Sequence, residues 1–152
     1  MKKGIDNKPT KFYLYTGLFF LLLYSFGEFF EYRETFVRRF INSIFLVSYL
    51  TVINCIFFEK VLPLFRWPFK NNLRAFSLLF ITALLYTFGM YGWRQMWIQL
   101  GIYTNYTPSL SFSKGVALHS QFSIACIIFF AIVRNIYNNI QLREKNHKLR
   151  IE

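Results

Sequence analysis

The sequence predicts an all-α membrane protein: four transmembrane helices in an antiparallel bundle, the last one extending into the cytoplasm. Three observations carry this prediction. The apolar residues fall into four continuous blocks, each near the roughly 20 residues that a membrane-crossing helix needs, and not into amphipathic stripes. Polar and basic residues sit between and outside the blocks, leaving too few to build a water-facing surface. The blocks also lack the alternation over about ten residues that marks barrel strands. At 55% the apolar fraction is close to that of soluble domains, so the arrangement decides and not the content.

The first block runs from Phe12 to Phe30 (12–30), after a tail carrying Lys2, Lys3, Lys8 and Lys11. As a helix it is about 28 Å long, close to the hydrocarbon thickness. It is too long for a signal-peptide core, and the stretch after it, Glu28 to Arg39, is charged and bulky where a cleavage site has small residues. The sequence therefore predicts a retained helix. The second block runs from Phe40 to Phe58 (40–58), between Arg38 and Arg39 on one side and Glu59 and Lys60 on the other. Pro63 and Pro68 mark a break, with Arg66, Lys70 and Arg74 around it.

The third block runs from Leu73 to Trp93 (73–93), with Trp93 and Trp97 suited to be interfacial anchors. A polar, aromatic loop is predicted from Arg94 to Lys114, with a turn signal at Thr107-Pro108-Ser109. The fourth block runs from Gly115 to Tyr137 (115–137). Neither Gly nor Pro occurs from Val116 onward, so the helix is expected to continue into a basic cytoplasmic tail, 138–152. No repeat or linker divides 1–152, which reads as a single membrane domain.

The net charge of +11 suits a membrane surface, because the basic residues lie between the apolar blocks; nucleic acid is not an expected partner. Four helices would put the N-terminal tail, the second loop and the C-terminal tail on one side. That side holds Lys2, Lys3, Lys8, Lys11, Lys60, Arg66, Lys70, Arg74, Arg134, Arg143, Lys145, Lys148 and Arg150. The other holds Arg33, Arg38, Arg39, Arg94 and Lys114. The positive-inside rule then places both termini in the cytoplasm and the protein in the inner membrane.

Cys55 and Cys126 each lie inside an apolar block, without metal-ligand spacing or a disulfide framework. No metal and no cofactor is expected. There is no Gly-rich phosphate loop, no His-Glu-x-x-His and no Gly-x-Ser-x-Gly, so no enzyme is expected. Glu28, Glu31 and Glu34 step by three along one helix end. They are candidates for binding a cation or a basic ligand, or form a helix end neutralised by Arg33, Arg38 and Arg39, with Glu34 and Arg38 four apart. Glu28 lies deepest, where a charge is costly. His119 is a candidate ligand- or pH-responsive group, or a polar residue bonded among small neighbours.

Ser48, Thr51 and Cys55 form a mildly polar stripe, with Asn54 beside it expecting an interhelical partner. Ser120 and Ser123 are further helix-packing candidates. Asn105-Tyr106-Thr107 matches a glycosylation acceptor pattern, which carries no weight in a bacterial protein. Ile132, Ile136 and Ile140 repeat every four residues over fewer than three heptads, which fits a signalling coiled coil or a solvated helix end.

Two stretches resemble a known family. Asn54-Cys55-Ile56-Phe57-Phe58-Glu59-Lys60-Val61-Leu62-Pro63-Leu64-Phe65 is an aromatic run ending in a Leu-x-Pro-type turn, before a basic stretch and a third helix. The fourth helix runs into the charged segment Gln141 to Glu152. This layout resembles the N-terminal transmembrane region of LytS-type sensor histidine kinases of Bacteroidetes. The family's Pro-His-Phe-x-x-Asn phosphoacceptor box and its ATP-binding domain are absent, and His147 lacks the flanking residues. The resemblance implies a noncatalytic sensory or scaffolding module that relays to, or anchors, a cytoplasmic partner. An accessory subunit of a larger membrane complex and a small self-associating pore are the alternatives. Expected partners are the lipid bilayer and other membrane chains, or a second copy in a homodimer.

Overall fold

A computed structural model describes residues 8–65, 72–108 and 111–151. Lys2, Lys3, Arg66, Pro68, Lys70, Ser109 and Glu152, which entered the predictions above, lie outside the described residues. Among the described residues the chain is helical with short connections and no strand. Helix α1 spans Lys8–Glu31. A 3-10 turn, Arg33–Thr35, leads into α2, Phe36–Ile56. Helix α2 continues through a wide π turn, Phe57–Val61, and a 3-10 turn, Leu62–Phe65. Helix α3, Asn72–Leu84, passes through a second π turn, Leu85–Gly89, into α4, Met90–Gln99. Helix α5, Phe112–Ile151, has 40 residues.

These elements make four helical rods, each long and apolar enough to cross a membrane: Thr10–Glu31, Arg33–Phe65, Leu73–Gln99 and Phe112–Leu149. They sit where the four apolar blocks predict them, with two differences. The charged stretch after Phe30 is not a loop, since only Tyr32 interrupts the helical path between α1 and the Arg33–Thr35 turn. The predicted loop from Arg94 to Lys114 is also shorter, because the third rod stays helical to Gln99 and α5 starts at Phe112.

The added turns of α4 are held by packing on α2. Trp93 Nε1 donates to the Phe45 carbonyl at 3.0 Å, and the Trp97 ring lies 4.4 Å from that of Phe45. The two tryptophans are thus half-buried against a neighbouring helix. The helix ends at Leu100, and Gly101 adopts φ +73°, the left-handed conformation that closes helix C-termini at low cost in glycine.

Asn54, Leu50, Met90, Cys126 and Phe130 are wholly buried where α2, α4 and α5 meet. The outward faces are apolar, with Leu22, Phe26, Phe76, Phe80 and Ile128 all more than half exposed. Several polar side chains are turned inward instead, among them Thr16, Asn42, Ser43, Asn54, Thr82, Arg94, His119 and Ser123.

The two π turns release backbone carbonyls that side chains from other helices then satisfy. Widening to an i→i+5 pattern disrupts the regular ladder. Tyr49 donates to the Leu85 carbonyl at 2.9 Å and Ser123 to that of Tyr86 at 2.8 Å. Arg134 Nη1 donates to the Phe58 carbonyl at 2.8 Å. The last contact belongs to a cluster joining three rods. Glu59 Oε1 accepts from the Tyr13 hydroxyl at 2.7 Å and lies 3.1 Å from Arg134 Nη2.

Candidate functional site

At the end of the rods away from the Tyr13–Glu59–Arg134 cluster there is a polar cavity of about 200 Å³. Tyr24 and Glu28 come from α1, and Arg39, Asn42, Ser43 and Leu46 from α2. Arg94 comes from α4, and Leu118, His119 and Phe122 from α5. The loop between α4 and α5 closes it with Tyr103, Thr104, Tyr106 and Thr107. All four rods therefore contribute, at the same end.

Glu28 and Arg39 form one half of the charge arrangement, with Arg39 Nη1 3.9 Å from Glu28 Oε1. Ser43 Oγ lies 3.2 Å from Glu28 Oε2 and 3.0 Å from the Arg39 carbonyl, and donates to one or the other. Arg39 Nε donates to Thr35 Oγ1 at 3.1 Å. Its guanidinium lies between two aromatic faces, 3.6 Å from the Tyr32 centroid and 4.4 Å from that of Tyr106. Guanidinium–ring contacts of this kind are favourable electrostatically and by stacking.

Arg94 is the other cation, and it is only 6% exposed. Its Nη2 donates to Asn105 Oδ1 at 2.9 Å and to Thr107 Oγ1 at 3.1 Å. Both acceptors are neutral. Asn105 Oδ1 also accepts from the Thr107 backbone N–H at 3.1 Å, so a single amide organises the loop around the guanidinium. Tyr103 lies beneath, its ring centroid 5.6 Å from Arg94. Burial pushes the Tyr103 phenol above its ordinary value, so it remains protonated. The loop is pinned to α2 by Asn42, which exchanges two hydrogen bonds with Thr104.

Three residues of this lining each bury a polar atom that has no partner among the described residues: Arg94 Nε, His119 Nε2 and Tyr106 Oη. Buried polar groups are nearly always satisfied in folded proteins, so three orphans among the residues around one small cavity are unusual. No group of three or more His, Cys, Asp or Glu able to hold a metal ion occurs among the described residues.

No known protein family, characterised protein or solved structure matches the chain.

Of the residues singled out in the sequence, Glu28 and His119 line this one cavity. Glu31, the last residue of α1, and Glu34, in the 3-10 turn that follows, are exposed and do not join them. Arg38 is exposed as well, and the partner of Glu28 is Arg39. The residues proposed for packing divide. Asn54 is fully buried, accepts from the Tyr86 hydroxyl at 2.7 Å and donates to Cys126 Sγ at 3.5 Å. Ser123 is buried against Tyr86 and Met90. Ser120 bonds its own helix at Val116, and Thr51 does so at Val47 while meeting Gly17 of α1. Ser48 is exposed, so Ser48, Thr51 and Cys55 do not form one continuous seam.

Asn42, Ser43, Arg94, Tyr103 and Thr104 were not among the sequence candidates, while Arg39 entered only as a neutralising charge and Asn105-Tyr106-Thr107 only as a glycosylation pattern. Spacing gave a signal for some of them. Tyr86, Met90 and Arg94 recur every four residues and all are buried. Asn42, Ser43, Leu46, Val47 and Leu50 follow the same helical period on α2. Nothing local in the loop shows that Asn105 and Thr107 fold back onto Arg94.

Proposed function

We propose that this chain is a noncatalytic, multi-pass inner-membrane module that receives a small polar ligand in the cavity and relays its occupancy along α5 to a cytoplasmic partner. The single observation that carries the reading is the cavity itself. It joins all four rods at one end, encloses charged groups, and keeps buried hydrogen-bonding atoms without partners. A merely structural polar core would satisfy them.

Membrane insertion is supported by the apolar outward faces and inward polar side chains, the reverse of the order expected in water. An antiparallel bundle is supported by two contacts between α1 and α2. Tyr13, early in α1, meets Glu59 beyond the end of α2, while Glu28, late in α1, meets Ser43 early in α2. Both termini are cytoplasmic in this reading, from the distribution of basic residues, so the cavity opens to the outside.

The relay is supported by the length of α5. Forty residues make about 60 Å of helix, roughly twice the hydrocarbon thickness. His119 lies in its first turns at the cavity, and Arg134, fifteen residues on, grips Phe58 and Glu59. Displacement of α5 at the cavity would reach that grip and the exposed tail beyond it. The resemblance to the membrane part of sensor kinases points the same way. The pore alternative draws no support from the polar stripe, since Ser48 faces outward and Thr51 packs on Gly17.

The test is thiol accessibility in intact cells, with Cys55→Ser and Cys126→Ala as background. His119→Cys should react with a membrane-impermeant methanethiosulfonate added outside. Asn138→Cys should react only after permeabilisation. Labelling at 138 without permeabilisation sinks the reading.

A further inference from the structure

We propose that the cavity is an oxyanion site: Arg94 takes the carboxylate or phosphate of its occupant, with His119 and Tyr106 completing the donor set. This rests on the reading of the cavity as a ligand site and names the chemistry of the ligand.

The charge inventory comes first. Among the described residues the lining holds one carboxylate, Glu28, and two guanidinium groups, Arg39 and Arg94. Glu28 is paired with Arg39 by the 3.9 Å contact and lies within hydrogen-bond reach of Ser43. Arg94 therefore has no counter-ion among the described residues, only Asn105 and Thr107 as neutral acceptors. A cation 94% removed from solvent without an opposite charge is expensive to keep. Water in the cavity would hydrogen-bond to the group but would not neutralise it.

The orphan atoms come second. Arg94 Nε–H is a donor, and it belongs to the cation that lacks a charge partner. Tyr106 offers an O–H and His119 offers Nε2, a donor in the matching tautomer. Three unused donors and one surplus positive charge match the lone pairs and charge of an oxyanion. A cationic ligand finds no such match, because the one carboxylate is already engaged.

Size comes third. About 200 Å³ is the liquid volume of roughly seven waters, which admits a small organic acid, inorganic phosphate or the charged part of a lipid headgroup. A soluble acid and a lipid headgroup share this chemistry, and the experiment separates them.

The full chain is purified in mild detergent, and thermal unfolding is followed by tryptophan fluorescence. Acetate and inorganic phosphate are the soluble probes, with acetamide as the neutral isostere of acetate and chloride as a simple anion. In parallel the protein is placed in nanodiscs of phosphatidylcholine with or without phosphatidylglycerol. A saturable rise in Tm with acetate or phosphate, absent with acetamide and chloride, supports a soluble oxyanion. A rise only with phosphatidylglycerol supports the lipid source of the same chemistry.

In either case the apparent affinity should fall by about tenfold or more in Arg94→Gln, the loss of one charge-assisted hydrogen bond. Arg94→Gln also loosens the loop, so His119→Gln and Tyr106→Phe provide independent arms, each expected to weaken binding while leaving the unliganded Tm near that of the native protein. No shift with any oxyanion or anionic lipid overturns the proposal, as does a shift unchanged in all three variants. If acetamide or chloride stabilises as well as acetate, the cavity binds ligands but the oxyanion assignment falls. If acetate binds through Arg94 but His119→Cys is unreactive from outside, the oxyanion site stands and the outward-facing receptor falls.

Discussion

Asn42 and Thr104 exchange two hydrogen bonds: Asn42 Nδ2 donates to the Thr104 carbonyl at 2.9 Å, and the Thr104 N–H donates to Asn42 Oδ1 at 3.0 Å. One side-chain amide from α2 thus substitutes for a backbone partner and holds the α4–α5 loop over the cavity. The residues are 62 positions apart, and Asn42 is 6% exposed.

Replacing Asn42 with alanine leaves both Thr104 backbone groups without those partners, at a local cost of about 1–3 kcal/mol. The expected outcome is faster hydrogen exchange at the Thr104 amide and greater protease sensitivity across residues 100–108, with the rods unchanged. Asn42→Asp keeps the acceptor for the Thr104 N–H but loses the donor, and should fall between. Equal exchange in all three proteins would show that the pair does not hold the loop.

Asn54 and Tyr86 form a buried polar contact, with the Tyr86 hydroxyl 2.7 Å from Asn54 Oδ1. Both Asn54→Leu and Tyr86→Phe strand a buried polar group. The double variant removes both, and a mutant cycle should return a coupling of about 0.6 kcal/mol and at most about 1.7, the mean and maximum for such contacts in a membrane bundle. Reversible unfolding in bicelles measures it. Strictly additive single effects would show that the hydrogen bond contributes nothing net.

Gly17 brings α1 onto α2, because a Cβ there would run into the Thr51 hydroxyl and methyl. Gly17→Ala should destabilise by about 1–3 kcal/mol, as overpacking does. Thr51→Ala removes both obstructing atoms and should restore most of the loss when combined with it. Gly92→Ala is the control: nothing lies within 4 Å of its added Cβ, so the effect should be neutral or slightly stabilising through helix propensity. Equal losses at positions 17 and 92 would rule out close packing as the cause.

Arg134 acts on two acceptors, the Phe58 carbonyl in the π turn and the Glu59 carboxylate. Glu59 is 35% exposed on its side chain, so the ion pair alone is worth about 0–1 kcal/mol. Glu59→Gln should therefore be mild. Arg134→Met should cost on the order of 1 kcal/mol more, because it also removes the donor to a backbone carbonyl. Chemical denaturation of the two variants in detergent compares them, and a larger loss in Glu59→Gln would reverse the assignment.

The four rods were legible because their cause is local. A run of about twenty apolar residues makes a helix wherever it is, and charged or proline-bearing stretches break it. The ends were less legible. Arg94 reads as the start of a loop because a charged residue follows Trp93. It stays helical because Trp93 and Trp97 pack on Phe45 and because Asn105 and Thr107, beyond the helix end, fold back to its guanidinium.

The site was half legible for the same reason. Glu28 and His119 stand out as charged or titratable residues in apolar blocks, and chemistry alone marks them. Their company does not follow from chemistry alone. Glu28, Glu31 and Glu34 look equivalent by spacing, yet only Glu28 is half-buried and meets Arg39 of α2, while Glu31 and Glu34 are exposed.

What the sequence determined by itself was therefore the number, length and apolarity of the helices, and the presence of two titratable residues near one end of the apolar blocks. These depend on neighbours along the chain. Only the tertiary structure decided that Arg39, Asn42, Arg94 and the 103–107 loop converge on those two residues. It also decided that Arg39 is paired with Glu28 while Arg94 is not. Pairing between charges depends on distances across four rods, and helix packing sets those distances.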